Sequence, residues 1–178
     1  EMKQALPQGA AIIRCMPNTP ASIGEGMMVL CAGDSVSDEA REMSEKLLSA
    51  SGAVAWIEDE NLMDAVTAIS GSGPAYVFHF IEALAKAGID LGLPSQTALL
   101  LARQTVAGAG RMALVSSTTP AILREQVTSP GGTTAAALKV FMEDERLVSL
   151  VASAAMAARD RGAELGHANQ NQTVGKEH

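Results

Sequence analysis

Beyond Glu58 the chain offers no run that reads as a strand, whereas the stretch before it offers three. The three are Ala10-Ala11-Ile12-Ile13-Arg14-Cys15-Met16, Gly26-Met27-Met28-Val29-Leu30-Cys31-Ala32 and Ala53-Val54-Ala55-Trp56-Ile57. Short apolar runs closed by turn residues fit buried strands, although periodicity alone does not exclude helix. Residues 36–51 follow a helical pattern. Ser37 suits the cap, Asp38 and Glu39 suit the positive helix end, and Met43, Leu47 and Leu48 form an apolar face that Gly52 terminates. Strands separated by a helix are expected at the end of an α/β sheet. Residues 1–8 read as the end of a preceding helix, closed by Pro7 and Gly9.

From Asp59 onward the expectation is all-α. A helix from Asp59 to Ser70 stops at Gly71-Ser72-Gly73-Pro74. Pro74 starts a long helix to about Leu91, with Val77, Phe78, Ile81, Leu84 and Ala85 on one face. Pro94 starts the next, to about Ser116, and Pro120 a short one to Val127. Helices are expected over Thr133–Met142 and over Glu145–Leu165, the last with Leu147, Val151, Ala154 and Ala158 in register. Hydrophobic residues make up 47% of the chain but aromatics only 3%, so Ala, Leu, Val and Met must do the packing. Small side chains let helices approach closely. Ala98-Leu99-Leu100-Leu101-Ala102 is apolar all round and must be covered on every side, by its own fold or by another subunit. The texture changes near residue 60, and a polar, disordered tail is expected over residues 167–178.

A net charge of -7 argues against nucleic acid as a partner, because phosphate binding needs clustered Lys and Arg. Cys15 and Cys31 are expected as buried, reduced thiols. The three His are scattered without ligand spacing, so no metal site is expected. No apolar run reaches the roughly 18 residues that a membrane helix needs, and no secretory signal is seen. A soluble, cytoplasmic protein with no membrane partner is the default expectation.

Three segments could carry chemistry. Ser129-Pro130-Gly131-Gly132-Thr133-Thr134 opens a helix: its glycines admit a ligand to the backbone, and its hydroxyls add donors. That combination suits a small anion such as a carboxylate, and equally an ordinary capped connection between helices. Gly71-Ser72-Gly73-Pro74 joins two helices, as a ligand-lining corner or as close packing alone. Arg14-Cys15-Met16-Pro17-Asn18-Thr19-Pro20 is a rigid turn after a strand, a place where open α/β sheets bind ligands, or one where Asn18 and Thr19 only satisfy backbone groups. No pairing of nucleophile and base stands out, which is compatible with hydride chemistry carried by a cofactor.

In this order the three segments resemble the pyrroline-5-carboxylate reductase family. Arg14–Pro20 is similar to its RxMxNTP turn, Ser70–Tyr76 to its SGSGPAY corner, and Val127–Thr134, continued by Ala137-Leu138, to its signature near the C-terminus. The resemblance covers about residues 10–166. It implies reduction of 1-pyrroline-5-carboxylate to L-proline with NADPH or NADH, the last step of proline biosynthesis. It also implies a Rossmann domain followed by an all-helical dimerisation domain, with homodimers that assemble further into decamers. Residues 1–60 would be the C-terminal portion of the Rossmann domain, and residues 61–166 the dimerisation and substrate-binding domain.

Carried over by position, Ser129, Gly131, Gly132, Thr133 and Thr134 would bind the substrate carboxylate. The donors would be the Ser129 hydroxyl and the backbone N–H groups of Gly132, Thr133 and Thr134. Thr134 would stand by the ring nitrogen as the catalytic residue. Asn18, Thr19 and Pro20 would sit near the nicotinamide, with Ser72, Gly73 and Pro74 between cofactor and substrate. The family's opening strand–GxGxxG–helix has no counterpart here, so this chain alone is expected to bind the cofactor poorly and to be inactive. Two other readings stay open: a non-catalytic dimerisation fragment, and an imine or hydroxyacid reductase with a different substrate.

Overall fold

The computed structural model describes residues 10–174. The helix end expected over residues 1–8 lies outside them. Three strands form one sheet in the order β1 (Ile13–Met16), β2 (Gly26–Ala32), β3 (Gly52–Ile57). β1 is antiparallel to β2, with Cys15 opposite Leu30, and β2 is parallel to β3, with Leu30 opposite Trp56. The parallel pair is joined by α1 (Asp38–Leu48), the crossover that parallel strands require. β2 is the centre. Met28, Val29, Leu30 and Cys31 are all buried, as expected of a strand covered on both faces.

α1 begins as the sequence indicates, with Ser37 Oγ accepting from Ala40 N at 3.3 Å and Asp38 and Glu39 in the first turn. Its inner face is different. The half-buried positions are Ala40, Arg41, Ser44 and Leu48, while Met43 and Leu47 are more than 70% exposed. Arg41 lies over the Trp56 ring, 5.0 Å from its centroid, and Trp56 Nε1 donates to Glu45 Oε2 at 3.4 Å. A cation over an indole thus joins helix to strand where an apolar stripe was expected.

The segment after β3 is not one regular helix. A 3-10 turn (Glu60–Leu62) leads into α2 (Met63–Val66), and a π-helical turn (Thr67–Gly71) follows, with Ser72 N donating to Thr67 O at 2.8 Å. Five further α-helices follow among the described residues, α3 (Gly73–Asp90), α4 (Ser95–Val115), α5 (Pro120–Gln126), α6 (Thr133–Met142) and α7 (Arg146–Val174), with a 3-10 turn (Glu143–Glu145) between the last two. The tail expected from His167 is helical as far as Val174; residues 175–178 lie outside the described ones. Polar composition does not stop a helix that is already nucleated, and no Gly-Pro break follows Leu165.

By packing, the chain divides into two compact units: Glu1–Pro74 with Ser153–His178, and Ala75–Ala152. The sequence places its change of texture near residue 60; the first unit reaches Pro74 and takes in most of α7. Within that unit, Met63 and Ala68 are buried, and Gly162 of α7 approaches Asp64 so closely that a Cβ there would stand 3.2 Å from Oδ1.

The second unit buries only Ala85, Ala98 and Ala102. α3 and α4 meet through small residues, since a Cβ on Gly88 would be 3.1 Å from the Ala98 Cβ. α3 ends as a Schellman turn: Gly92 has φ +95°, its N–H donates to Ile89 O at 2.9 Å, and Leu93 N donates to Gly88 O at 3.0 Å. Leu100 is 66% exposed, and Val77, Phe78, Leu84, Leu147 and Val151, which the sequence assigns to buried faces, are exposed as well.

Two outcomes follow from the sheet. Gly52 has φ +142°, and a side chain there would strike the Gly26 backbone carbonyl. Gly52→Ala is expected to lower stability by about 2–4 kcal/mol, read as a fall in the urea midpoint. Cys15 and Cys31 occupy opposite faces of the sheet and are both free. Burial pushes both thiols above their ordinary value, and Glu60 and Glu58 push Cys31 further. The folded state therefore favours the neutral thiols. Their contribution is intact below the unfolded thiol value of about 8.5 and is lost as pH rises through the higher folded value. Iodoacetamide should label Cys31 in native protein at least tenfold more slowly than in denaturant at about pH 8; equal rates would place Cys31 at the surface.

Candidate functional site

The Ser129–Thr134 loop takes its shape from two residues. Gly132 N donates to Ser129 O at 3.1 Å, and Gly131 has φ +71°. Proline at the second position and a left-handed glycine at the third are the signature of a type II turn, here Ser129-Pro130-Gly131-Gly132. Upstream, Thr128 N donates to Glu125 O at 3.0 Å and Thr128 Oγ1 to Arg124 O at 2.6 Å, which closes α5. Downstream, Gly132 is the N-cap of α6 and no side chain caps that helix.

The first N–H groups of a helix have no intrahelical acceptor, so those of Thr133 and Thr134 point outward without a partner from the turn. A Cβ on Gly132 would fall on Ser129 Oγ, so the missing side chain is what lets the hydroxyl lie over the helix start. Ser129, Gly131 and Thr133 are exposed, and Gly132 and Thr134 half-buried. The donor set expected from sequence is thus corrected at one atom, because the Gly132 N–H belongs to the turn. Two open N–H groups, a positive helix end and up to three hydroxyls remain, which is donor chemistry for a carboxylate.

The other two candidate segments belong to the first unit and come together there. β1 ends at Met16, and a 3-10 turn over Thr19–Ile23 follows, with Pro20 near its start. β1 runs against the parallel pair, so this turn lies at the edge where β2 and β3 begin. Asn18 Nδ2 donates to Ser70 O at 3.3 Å and lies 3.4 Å from Ser70 Oγ; Asn18 Oδ1 accepts from Met27 N at 2.9 Å. A Cβ on Gly71 would be 2.6 Å from Met16 Cε. A side chain at 71 would therefore displace the Met16 methyl, and the φ of Gly71 makes no such demand. Arg14 reaches Glu60 Oε1 at 3.1 Å, a largely exposed pair of small energetic weight.

Ser72, Gly73 and Pro74 are half-buried, and nothing lies within 4 Å of where a Gly73 side chain would begin. Thr19 is exposed and Pro20 half-buried. These residues fit the flat, uncharged end of a nicotinamide nucleotide, which needs open backbone and small side chains. For a pyrophosphate the described residues hold no glycine loop between strand and helix. Gly108-Ala109-Gly110-Arg111-Met112-Ala113 matches the letters of the dinucleotide fingerprint, but it lies inside α4, where backbone N–H groups serve the helix. Among the described residues no cluster of His, Cys, Asp or Glu could hold a metal ion, and no helix is long and apolar enough to cross a membrane.

A family model described as pyrroline-5-carboxylate reductase dimerisation matches residues 60–165. The chain belongs to the pyrroline-5-carboxylate reductase family. A pyrroline-5-carboxylate reductase of Pseudomonas aeruginosa is 49% identical over 160 residues, which are 90% of this chain and 58% of that one. One from Pisum sativum is 42% identical over 86% of this chain and 55% of its own. In structure, the reductase of Coxiella burnetii matches with a TM-score of 0.89 at 43% identity, over 92% of this chain and 60% of that one. The pyrroline carboxylate reductase of Plasmodium falciparum, solved with NADP bound, matches with a TM-score of 0.80 at 33% identity, over 93% and 66%. The chain therefore spans just under 60% of the length of the curated relatives it matches. The sheet remnant followed by helices is the corresponding part of the reductase fold.

Proposed function

We propose that this chain serves in the reduction of 1-pyrroline-5-carboxylate to L-proline, by hydride transfer from NADPH or NADH, as the last step of proline biosynthesis in the cytoplasm. The observation that carries the reading is the start of α6: an uncapped helix of ten residues, preceded by a type II turn, with hydroxyls at Ser129, Thr133 and Thr134. Such a start binds a carboxylate through two N–H groups and the helix dipole. The reduced nicotinamide would supply the hydride to the imine carbon, C2 of the pyrroline ring, on the side of the nitrogen away from the carboxylate-bearing C5.

The chain's residues do the rest. The N–H groups of Thr133 and Thr134, with Ser129 Oγ, hold the carboxylate and so fix the ring. Thr134 Oγ1 donates toward the ring nitrogen, which takes up a proton as the C=N bond becomes C–N, and solvent restores the hydroxyl proton. Thr19 and Pro20, with Ser72, Gly73 and Pro74, line the nicotinamide end. The exposed apolar side chains of the second unit, Leu100 at 66% and Phe78 at 59% among them, support a homodimer, and through dimers the decamers that the family resemblance implies. Free Cys15 and Cys31 suit a reducing cytoplasm.

The test uses a protein that carries this chain together with a glycine-rich nucleotide-binding segment. It should oxidise NADPH or NADH only when pyrroline-5-carboxylate is present. Thr134→Ala should lower kcat by about a hundredfold, the usual weight of one positioned proton donor, with Thr134→Ser recovering most of it. Gly132→Ala, which pushes the Ser129 hydroxyl aside, should raise KM for the substrate about tenfold and leave KM for the nucleotide within about twofold. Unchanged kinetics in Thr134→Ala would remove the proton role. In light scattering the chain should run as a dimer or larger, and a stable monomer at micromolar concentration would remove the assembly.

A further inference from the structure

Both polar atoms of the Asn18 side chain are engaged within the protein: its Oδ1 accepts from Met27 N at 2.9 Å, and its Nδ2 donates to Ser70 O at 3.3 Å with Ser70 Oγ at 3.4 Å. The carbonyl of Ser70 needs that donor. In a continuous α-helix it would accept from the residue four positions on, which is Pro74, and proline has no N–H. Next to it the regular α pattern is already broken, because Ser72 N donates five residues back to Thr67 O at 2.8 Å in the π turn. Gly71 supplies the second half of the contact, its bare backbone lying against the Met16 methyl, 2.6 Å from where a Cβ would stand. Turn and corner are thus joined by one amide and one bare backbone position.

We propose that Asn18 is a positioning residue: it fastens the Ser70–Pro74 corner to the Thr19–Pro20 turn and so sets the gap between the two segments that line the nicotinamide, without touching the cofactor through its own side chain. This rests on the reading of the previous subsection for what occupies the gap, and on the hydrogen bonds alone for how the gap is held. Asn18→Asp separates these roles. It keeps the acceptor for Met27 N but replaces the donor with an oxygen that faces the Ser70 carbonyl. Ser70→Ala removes only the longer contact.

Amide hydrogen exchange, measured on the full chain without cofactor, reads the fastening directly. In Asn18→Asp the Ser72 amide should exchange about tenfold faster while Met27 keeps its protection, and Ser70→Ala should leave both within about twofold. If Asn18→Asp does not fold, Asn18→Ser is read in the same way. Unchanged exchange at Ser72 in a folded Asn18 variant overturns the proposal. In the active enzyme, Asn18→Asp should lower kcat by about ten- to a hundredfold, the effect of a misplaced reactant, with KM for pyrroline-5-carboxylate within about twofold. Loss of nucleotide affinity with the Ser72 amide still protected would make Asn18 a direct ligand and also overturn it. A wild-type enzyme inactive on pyrroline-5-carboxylate would instead reject the reading of the previous subsection, and the exchange data would still decide the fastening.

Discussion

The contact between α3 and α4 is made by Gly88 and Ala98, and the smallness of these residues decides how the helical unit can be stabilised. Two helices that touch through glycine and alanine bury little large apolar surface against each other. What is buried is therefore Ala85, Ala98 and Ala102, which remove little apolar area from water. Leucine, phenylalanine and valine side chains face outward instead. Covering one leucine such as Leu100 stabilises by about 1.5–3 kcal/mol, so a surface of this kind gains most from a partner of the same make. The match of residues 60–165 to a model named for dimerisation agrees with that constraint.

Proline and glycine shape both candidate segments, by different routes. At Pro74 the important property is a missing donor, which leaves the Ser70 carbonyl to a side chain far away in sequence. At Pro130 it is the fixed φ, which together with a left-handed Gly131 sets a turn that uses the Gly132 N–H and frees the two that follow. In each case a backbone atom that regular structure would have occupied is redirected.

Much of this was legible in the sequence, because proline and glycine act locally. Pro74, Pro94 and Pro120 mark helix starts to within a residue, and Ser37 marks the cap of α1. The SPGGTT string specifies its turn through φ values alone. What the sequence hides depends on contacts with distant residues. The face of α1 is chosen by the sheet, which takes Ala40, Ser44 and Leu48 and lets Arg41 lie on Trp56, so the more hydrophobic Met43 and Leu47 end outside. The π turn has an ordinary helical composition, and the amide of Asn18 that meets its Ser70 carbonyl comes from 52 residues away, which a helical pattern does not register. The family resemblance gives the Gly132 N–H to the substrate, whereas in the folded chain it donates to Ser129 O at 3.1 Å, a bond the letters of the loop do not reveal. The reach of α7 to Val174 shows the same limit, since a polar stretch can continue a helix or leave it.

The type II turn ahead of α6 has one more effect. Pro130 is confined to a narrow range of φ even in the unfolded chain, so most of the ordering of this loop is complete once the protein has folded. On the proposed function, an incoming acid would meet a receptor whose shape does not have to be assembled around it, and little of the attraction would be lost to freezing backbone motion. Rigidity of that kind would favour a small, stiff ring over a flexible amino acid carrying the same carboxylate, because the flexible molecule alone would give up its internal freedom on binding.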